Sequence, residues 1–176
     1  MLTTGRVALS PVYECEIPVL HRWINDRDLV LSSAPFKAVS ETSHKAWFDS
    51  IEKREDIALF GIRFVETGEL IGTCQLCGIH PVHRSAELRI RIGDRDRQGQ
   101  GYGKDAVRLL LRHGFSDLNL ERIYLYVFAT NQPAVRLYEH VGFVREGVLR
   151  RAAHIDGGCV DVVIMGILRE EFAIAE

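Results

Sequence analysis

The run RQGQGYGK, residues 97–104, is the stretch that decides how this chain folds. It lies between a segment with strand alternation and a segment with helical periodicity, and three of its residues are glycine. Glycines at such a junction let the backbone turn tightly and bring N–H groups close to an anion, which the positive end of the next helix also attracts. The run therefore predicts a phosphate-binding loop, with a ligand-free strand–helix turn as the alternative.

Two familiar phosphate loops fit this run poorly. A Walker A loop needs G-x4-G-K-[ST], but Gly99 and Gly103 are one residue too close, and Asp105 replaces the hydroxyl that binds magnesium. A dinucleotide fingerprint needs G-x-G-x-x-G, but Lys104 stands in the place of its third glycine. The kinase-type and nicotinamide interpretations are both disfavoured.

Periodicity on either side of the run predicts a mixed α/β sheet. Pro133 and Gly142 bracket one helix, because proline suits a first helical position and glycine ends helices. In the helix predicted over 43–54, Ala46, Trp47 and Ile51 share a face, and Trp23 and Trp47 are expected to pack inside the protein. Predicted strands cover 6–10, 57–64, 70–77, 87–92, 122–129, 143–154 and 160–168, and predicted helices cover 17–31, 43–54, 107–118 and 133–141.

Composition sets the broad class of protein. The chain has 176 residues, 47% hydrophobic and 26% charged, with a formal net charge of −2. This size and apolar content predict one compact domain, 1–176, with a sizeable core rather than a disordered chain. No run approaches the ~20 apolar residues that span a membrane, and the first residues do not resemble a secretory signal, so a cytoplasmic protein is expected. Near-neutral charge argues against direct nucleic-acid binding.

A short histidine- and cysteine-containing segment superficially resembles a metal site. Cys74, Cys77, His80 and His83 follow the pattern C-x2-C-x2-H-x2-H. The cysteines fall in a predicted strand, where side chains three residues apart point to opposite faces, and the histidines are closer in sequence than zinc ligands usually are. No metal site is therefore expected, and the four cysteines of the chain are interpreted as reduced thiols.

Several motifs together resemble the GNAT N-acetyltransferase superfamily. Residues 98–103, QGQGYG, match the Q/R-x-x-G-x-G/A loop that binds the acyl-CoA pyrophosphate in that family. Residues 131–143 match its N-x-x-A-x-x-L-Y-E-x-x-G-F helix, and residues 86–94 resemble its fourth strand. The tail from Glu146 to Met165 is similar to the ribosomal-protein N-acetyltransferase (RimJ/RimL-like) branch, which also includes polyamine acetyltransferases. The resemblance covers roughly residues 57–172.

The resemblance implies a single α/β domain with a mixed, mostly antiparallel sheet, splayed central strands and flanking helices. It also implies acetyl-CoA as co-substrate, no metal, and acetyl transfer to a primary amine by direct attack. Backbone N–H groups of the loop would hold the pyrophosphate, and strand backbone at 90–92 would pair with the pantetheine arm. The implied cofactor-binding residues are Ile90, Arg91, Ile92, Arg97, Gln98, Gly99, Gln100, Gly101, Tyr102, Gly103, Lys104, Asn131 and Ala134. Charge around the loop is expected from a basic cluster of Arg89, Arg91, Arg95, Arg97 and Lys104.

Two catalytic residues are implied. Tyr138 is the candidate general acid for the departing CoA thiolate, since a tyrosine with an ordinary pKa of ~10 is protonated at neutral pH. The alternative is a core tyrosine, because Tyr138 shares an apolar helical stripe. Glu87 is the candidate base that deprotonates the acceptor, directly or through water, and an ion pair with Arg89 or Arg91 is the alternative. Further candidates for the base are His154, Asp161 and Glu139.

The acceptor amine stays open at this level. A protein N terminus, a polyamine, an amino sugar or another small amine would all suit the implied chemistry. An acidic lining opposite the cofactor would favour a polyamine, and an open groove would favour a peptide. A non-catalytic module that binds or senses acyl-CoA is the alternative to an enzyme, and a homodimer is one possible assembly.

Overall fold

A computed structural model describes residues 1–51 and 53–175 of the chain. Eight strands form one sheet in the order β1-β2-β3-β4-β5-β6-β8-β7. Neighbouring strands are antiparallel except for the parallel pair β5 and β6. The strands are β1 (Leu2–Thr3), β2 (Val7–Ser10), β3 (Ile57–Phe64), β4 (Leu70–His80), β5 (Ser85–Ile92), β6 (Arg122–Phe128), β7 (Val144–Ile155) and β8 (Gly158–Leu168).

Helices flank the sheet, and one of them contributes more buried residues than any other helix among the described residues. The helices are α1 (Ile17–Asn25), α2 (Arg27–Leu31), α3 (Glu41–Ile51), α4 (Tyr102–Arg112), α5 (Gln132–Val141) and α6 (Arg169–Ala175). Three successive leucines of α4, Leu109 to Leu111, are almost completely buried, and they belong to one apolar cluster with Leu88 of β5 and Leu125 of β6. The predicted mixed α/β class, with a mostly antiparallel sheet and flanking helices, is confirmed.

Several element boundaries differ from the sequence prediction for local reasons. The helix predicted over 17–31 is divided at Asp26, whose backbone is extended (ψ 103°) and whose side chain accepts the Leu29 N–H to begin α2. The helix predicted over 107–118 begins earlier, at Tyr102, and continues beyond Arg112 as a π-helical segment, His113–Asp117. Helix α6 and the short strand β1 were not predicted.

The buried face of α3 was predicted wrongly. His44 and Phe48, four residues apart, are its buried side chains, whereas Trp47 is 42% exposed. The reason is tertiary, since the His44 ring packs against the His21 ring at 5.6 Å. Trp23 does pack inward, so closely over Gly93 that no side chain would fit there.

Among the residues described, none of the helices combines the length and apolar character that crossing a bilayer requires.

Candidate acyl-transfer site

The gap between β5 and β6 is the feature on which the site is built. Across the described strands, parallel pairing is limited to residues 85–87 of β5 and residues 122–124 of β6. On its other side, β5 stays paired with β4 as far as Ile92. The β6-facing backbone of β5 is therefore open over residues 88–92, and the predicted splay of the central strands is confirmed. An extended ligand arm can add to such an edge as a strand does.

The glycine run forms the turn from β5 into α4. Gly99 and Gly101 have φ angles of 72° and 87°, in the left-handed region that favours glycine. Apart from Gly99 itself and its two chain neighbours, no described atom comes within 4 Å of the position that a Gly99 Cβ would take. The first backbone hydrogen bond of α4 runs from the Asp105 N–H to the Gly101 oxygen at 3.2 Å. The N–H groups of residues 102–104 precede it and are free to bind an anion.

The polar side chains of the run hold the loop in shape. Gln98 Nε2 donates to the Ile92 carbonyl oxygen at 2.9 Å. The Gln100 side-chain amide donates to the carbonyl oxygen of Asp96. Tyr102 is buried, 8% exposed. These three side chains therefore stabilise the conformation of the loop. The groups expected to contact an anion are its backbone N–H groups.

Sequence reasoning missed Arg6, which lies just before β2 and contacts this loop. Its guanidinium forms an ion pair with Asp105 at 2.6 Å, donates to the Gln100 carbonyl oxygen at 3.1 Å, and lies 5.3 Å from the centre of the Tyr102 ring. The contact links the second strand to a loop almost a hundred residues later. No local pattern in the sequence signals it, because it arises from strand order alone.

The expected basic cluster around the loop is dispersed. Arg95 is bonded to Asp26 of the α1–α2 junction at 2.6 Å, and this hydrogen bond lowers the pKa of the Asp26 carboxyl. The two arginines of β5 point to the opposite face of the sheet from α4. Arg97 and Lys104 remain beside the loop, and Arg97 lies 4.0 Å from Glu69. Positive charge at the loop thus comes from Arg97, Lys104, the Arg6 guanidinium that is paired with Asp105, and the N-terminal end of α4.

Helix α5 contacts the segment after α2 through its N-cap and approaches α4 through its middle. Asn131 caps the helix by accepting the Ala134 N–H at 3.2 Å. The same side chain donates Nδ2–H to the Ser32 carbonyl oxygen at 3.0 Å. At Gly103 an added Cβ would come within 3.2 Å of the Leu137 side chain, so α4 and α5 approach closely there. Asn131 therefore connects the helix to the Ser32 segment.

Tyr138 lies on the buried side of α5, as its apolar stripe predicted. It is 8% exposed and packs edge-on against the Phe143 ring at 5.6 Å. Burial raises the pKa of Tyr138 to about 12. The phenol is therefore protonated throughout the neutral range, as a general acid must be.

Glu87 stands where the two central strands begin to separate. It is the last β5 residue paired with β6, opposite Tyr124. Both of its carboxylate oxygens are bonded to Arg89, at 2.7 and 3.0 Å. The predicted ion pair between Glu87 and Arg89 is thus present in the structure. Glu87 also lies where the gap begins, and its role as the proton acceptor stays a prediction.

A cavity of about 500 Å³ lies at the carboxyl end of β6. The segment after α2 supplies three of its lining residues, β6 supplies two, and β7 and β8 supply the rest. None of the described lining residues is acidic, so the lining that would favour a polyamine is not found in this cavity. The lining consists of Ser33, Ala34, Pro35, Tyr126, Phe128, Ala152, Ala153, His154 and Val162.

The other three candidates for the base differ in whether they line the cavity. His154 lines the cavity. Glu139 forms an ion pair with Arg145 at 2.8 Å, and Asp161 accepts the backbone N–H of Arg151 at 2.7 Å. Of the three, His154 is the one that faces the cavity.

The cysteine–histidine segment does not converge on a point. Cys74 and Cys77 are buried in β4, and burial raises the pKa of both thiols. His80 and His83 stack on each other at 4.1 Å between ring centres. In the described part of the chain, no group of three or more potential ligands is arranged to hold a metal ion.

Comparison with known proteins gives a consistent result. The acetyltransferase (GNAT) domain family matches residues 6–144. A spermidine N(1)-acetyltransferase of Vibrio cholerae is 36% identical over 96% of each chain. The corresponding enzyme of Escherichia coli K12 is 35% identical over 98% of this chain and 91% of its own.

Structural comparison extends this likeness to the whole fold. The crystal structure of spermidine N-acetyltransferase from Vibrio cholerae in complex with CoA and spermine superposes with a TM-score of 0.89 at 29% identity. The match covers 97% of this chain and 99% of that one. The family match, the near full-length relatives and the open edge of β5 agree, and the chain belongs to the GNAT family of N-acetyltransferases.

Proposed function

We propose that this chain, acting as one domain over 1–176, transfers the acetyl group of acetyl-CoA to a primary amine by direct attack. The observation that carries the proposal is the open β5 edge over residues 88–92, which leads from the free amides of the α4 N-terminus towards the cavity. Acetyl-CoA supplies the thioester. The residues present fit it, because the free amides and the open space at Gly99 suit a pyrophosphate, and the strand edge suits an extended arm.

The proton transfers are assigned to Glu87, at the gap, and to Tyr138 of α5. The acceptor arrives as an ammonium ion and must lose a proton before its nitrogen can attack. Glu87, at the apex of the gap, takes this proton directly or through a water molecule. A backbone N–H of the β5 edge donates to the carbonyl oxygen that gains charge during attack. Tyr138, held protonated by burial, gives its proton to the leaving sulfur.

Cofactor contacts are proposed for the residues around the same gap. The N–H groups of residues 99–104 would bind the pyrophosphate, with Arg97 and Lys104 adding charge. The backbone of residues 90–92 would pair with the pantetheine arm. Asn131 and Ala134, at the α5 start, would contact the cofactor on the far side of the gap.

Within the family, two acceptor classes are supported by different observations. Motifs in the tail resemble the RimJ/RimL-like branch, which contains ribosomal-protein N-acetyltransferases, with a protein N terminus as acceptor, and also polyamine acetyltransferases. The relatives of similar length are named spermidine N-acetyltransferases, which supports a polyamine acceptor. Both remain candidates, and an acceptor panel must contain both.

Thiol release from acetyl-CoA in the presence of an amine panel tests the proposal. Tyr138→Phe keeps the ring that packs on Phe143 and removes the proton. We expect kcat to fall by about 10²- to 10⁴-fold, the usual contribution of a general acid, with little change in melting temperature. If acetyl-CoA raises the melting temperature but no amine accelerates thiol release, the chain is an acyl-CoA-binding module and the proposal fails.

A further inference from the structure

Arg91 has no counter-ion among the described residues and lies on the face of the sheet opposite α4. Side chains alternate along β5, so Arg91 lies on the opposite face from Leu88, which is buried in the core beneath α4. Its neighbour Ile92 confirms the orientation, because the Ile92 side chain lies 3.8 Å from the position of a Cβ on Gly103 of α4. The Arg91 guanidinium therefore points away from the helix whose free amides are proposed to bind the pyrophosphate.

The hydrogen bonding of Arg91 is incomplete. Within the described residues, its one hydrogen bond joins Nη2 to the Ser33 hydroxyl oxygen at 3.0 Å. Nε is shut off from solvent and has no acceptor among those residues. No carboxylate of the described chain lies within ion-pair distance of it, in contrast to Arg89, which is bonded to Glu87, and Arg95, which is bonded to Asp26. Burying Nε without an acceptor is costly. The Nη groups have no carboxylate partner among the described residues, and their planar geometry suits a planar anion.

Arg91 lies close to the cavity at the carboxyl end of β6. Ser33, its hydrogen-bond partner, lines that cavity. Tyr126 and Phe128, which also line it, belong to the part of β6 that has separated from β5. Arg91 belongs to the corresponding unpaired part of β5. The guanidinium and the two aromatic rings thus stand on opposite sides of the gap through which the acyl group must meet the amine.

We propose that the natural acceptor is a small amine that carries a carboxylate, which Arg91 and Ser33 bind, and an uncharged body that contacts Tyr126 and Phe128. This proposal rests on the proposed acetyl transfer and names its substrate class. Arginine suits a carboxylate because its planar N–H groups match the two oxygens. A polyamine places a second ammonium group in a cavity whose described lining contains no acidic residue and includes Ser33, the hydrogen-bond partner of Arg91. Such an acceptor is expected to bind less well.

Matched amine pairs that differ by a carboxylate test this directly. Phenylalanine against 2-phenylethylamine, and ornithine against putrescine, are compared with spermidine as acceptors in the thiol-release assay. We expect the carboxylated member of at least one pair to have a kcat/KM about 10- to 100-fold higher, the range for one charged hydrogen-bonded contact. If the amines without a carboxylate, or spermidine, are the better acceptors, the proposal is wrong.

Two variants assign the effect to the side chain. Arg91→Met should remove the preference by raising the KM of the carboxylated amine, with little change in the KM of acetyl-CoA, and Arg91→Lys should restore part of it. Arg95→Met is the matched control, because it removes an arginine that is already paired with Asp26, and it should leave the preference intact. An unchanged preference in Arg91→Met would overturn the assignment.

A binding measurement on the unmodified protein covers the case in which the variants do not fold. Calorimetry with the CoA-loaded protein compares 3-phenylpropionate with 3-phenylpropanol, which lack the amine and differ in charge. Tighter binding of the acid by about tenfold or more supports the proposal, and equal binding contradicts it. If no amine of any kind accelerates thiol release while CoA binds, the acetyl-transfer proposal itself has failed.

Discussion

Replacing Asn131 with aspartate separates two interactions that its side-chain amide makes. The oxygen accepts the Ala134 N–H and caps α5, while the nitrogen donates to the Ser32 carbonyl oxygen and holds the segment that enters the cavity. Aspartate keeps the accepting oxygen and loses the donor, whereas alanine loses both. Asn131→Asp should therefore free the Ser32 segment with α5 intact, and Asn131→Ala should weaken both contacts.

The expected sizes follow from the two hydrogen bonds. A lost N-cap costs about 1 kcal/mol, and a lost neutral hydrogen bond costs a similar amount, about 0.5–1.5 kcal/mol. Asn131→Ala should then lower the free energy of unfolding by about 2 kcal/mol, or about 4–8 °C in melting temperature for a chain of this size. Asn131→Asp should lose about half of that, because it keeps the cap and loses the hydrogen bond to Ser32. Because the Ser32 segment positions Ser33, we expect the acceptor KM to rise about two- to tenfold in both variants.

Thermal melts and steady-state kinetics with both substrates varied provide the measurements. The reasoning is refuted if Asn131→Asp melts as early as Asn131→Ala, because the cap would then not account for the difference. It is equally refuted if the KM of acetyl-CoA changes and the acceptor KM does not. That second outcome would instead support the direct cofactor contact proposed for Asn131.

Two further predictions concern buried groups outside the gap. Iodoacetamide should modify Cys15 and Cys159 in the native protein and spare Cys74, whose burial raises the pKa of its thiol; mass spectrometry showing native labelling of Cys74 would contradict this. Burial alone would raise the pKa of Glu16, but hydrogen bonds from Arg63 and a backbone N–H lower this pKa overall. The ionised Glu16 side chain therefore stabilises the fold above its unfolded-state pKa. This stabilisation is lost as the pH falls through the lower pKa of the folded state. Urea denaturation should show Glu16→Gln to be less stable by about 1–2 kcal/mol at pH 7, with a difference that shrinks below about pH 4.5; a constant difference would argue against the ion pair.

Local sequence patterns predicted the helices and strands whose ends are set by their own residues. Strand β3 covers Ile57–Phe64 as predicted, because turn residues bound an uninterrupted β-prone run. Helix α5 ends at Gly142, whose φ of 114° is a conformation that glycine adopts readily. The glycine run likewise forms the predicted turn before α4, since positive φ angles are required at two of its positions.

Long-range contacts account for what the sequence did not reveal. The buried face of α3 depends on His44, a polar residue that helical periodicity does not count as core. Arg6 reaches the loop because strand order brings β2 near α4. The sequence does not reveal that Arg91 lacks a carboxylate partner among the described residues. Glu87 is a plausible partner in the sequence, but it bonds Arg89 instead. The open gap between β5 and β6 was therefore predictable, whereas the charge pairing on the face of β5 opposite α4 was not.

The parallel pair β5 and β6 also has a consequence for biosynthesis. Strands β1 to β5 are contiguous along the chain and emerge from the ribosome before β6, so β5 is for a time the exposed edge of an unfinished sheet. Exposed edges invite pairing with other chains, and natural proteins deter this with charged side chains. Glu87, Arg89 and Arg91 occupy alternate positions of β5. The same charges that surround the acyl-transfer gap in the finished enzyme would thus protect the nascent half-sheet from association.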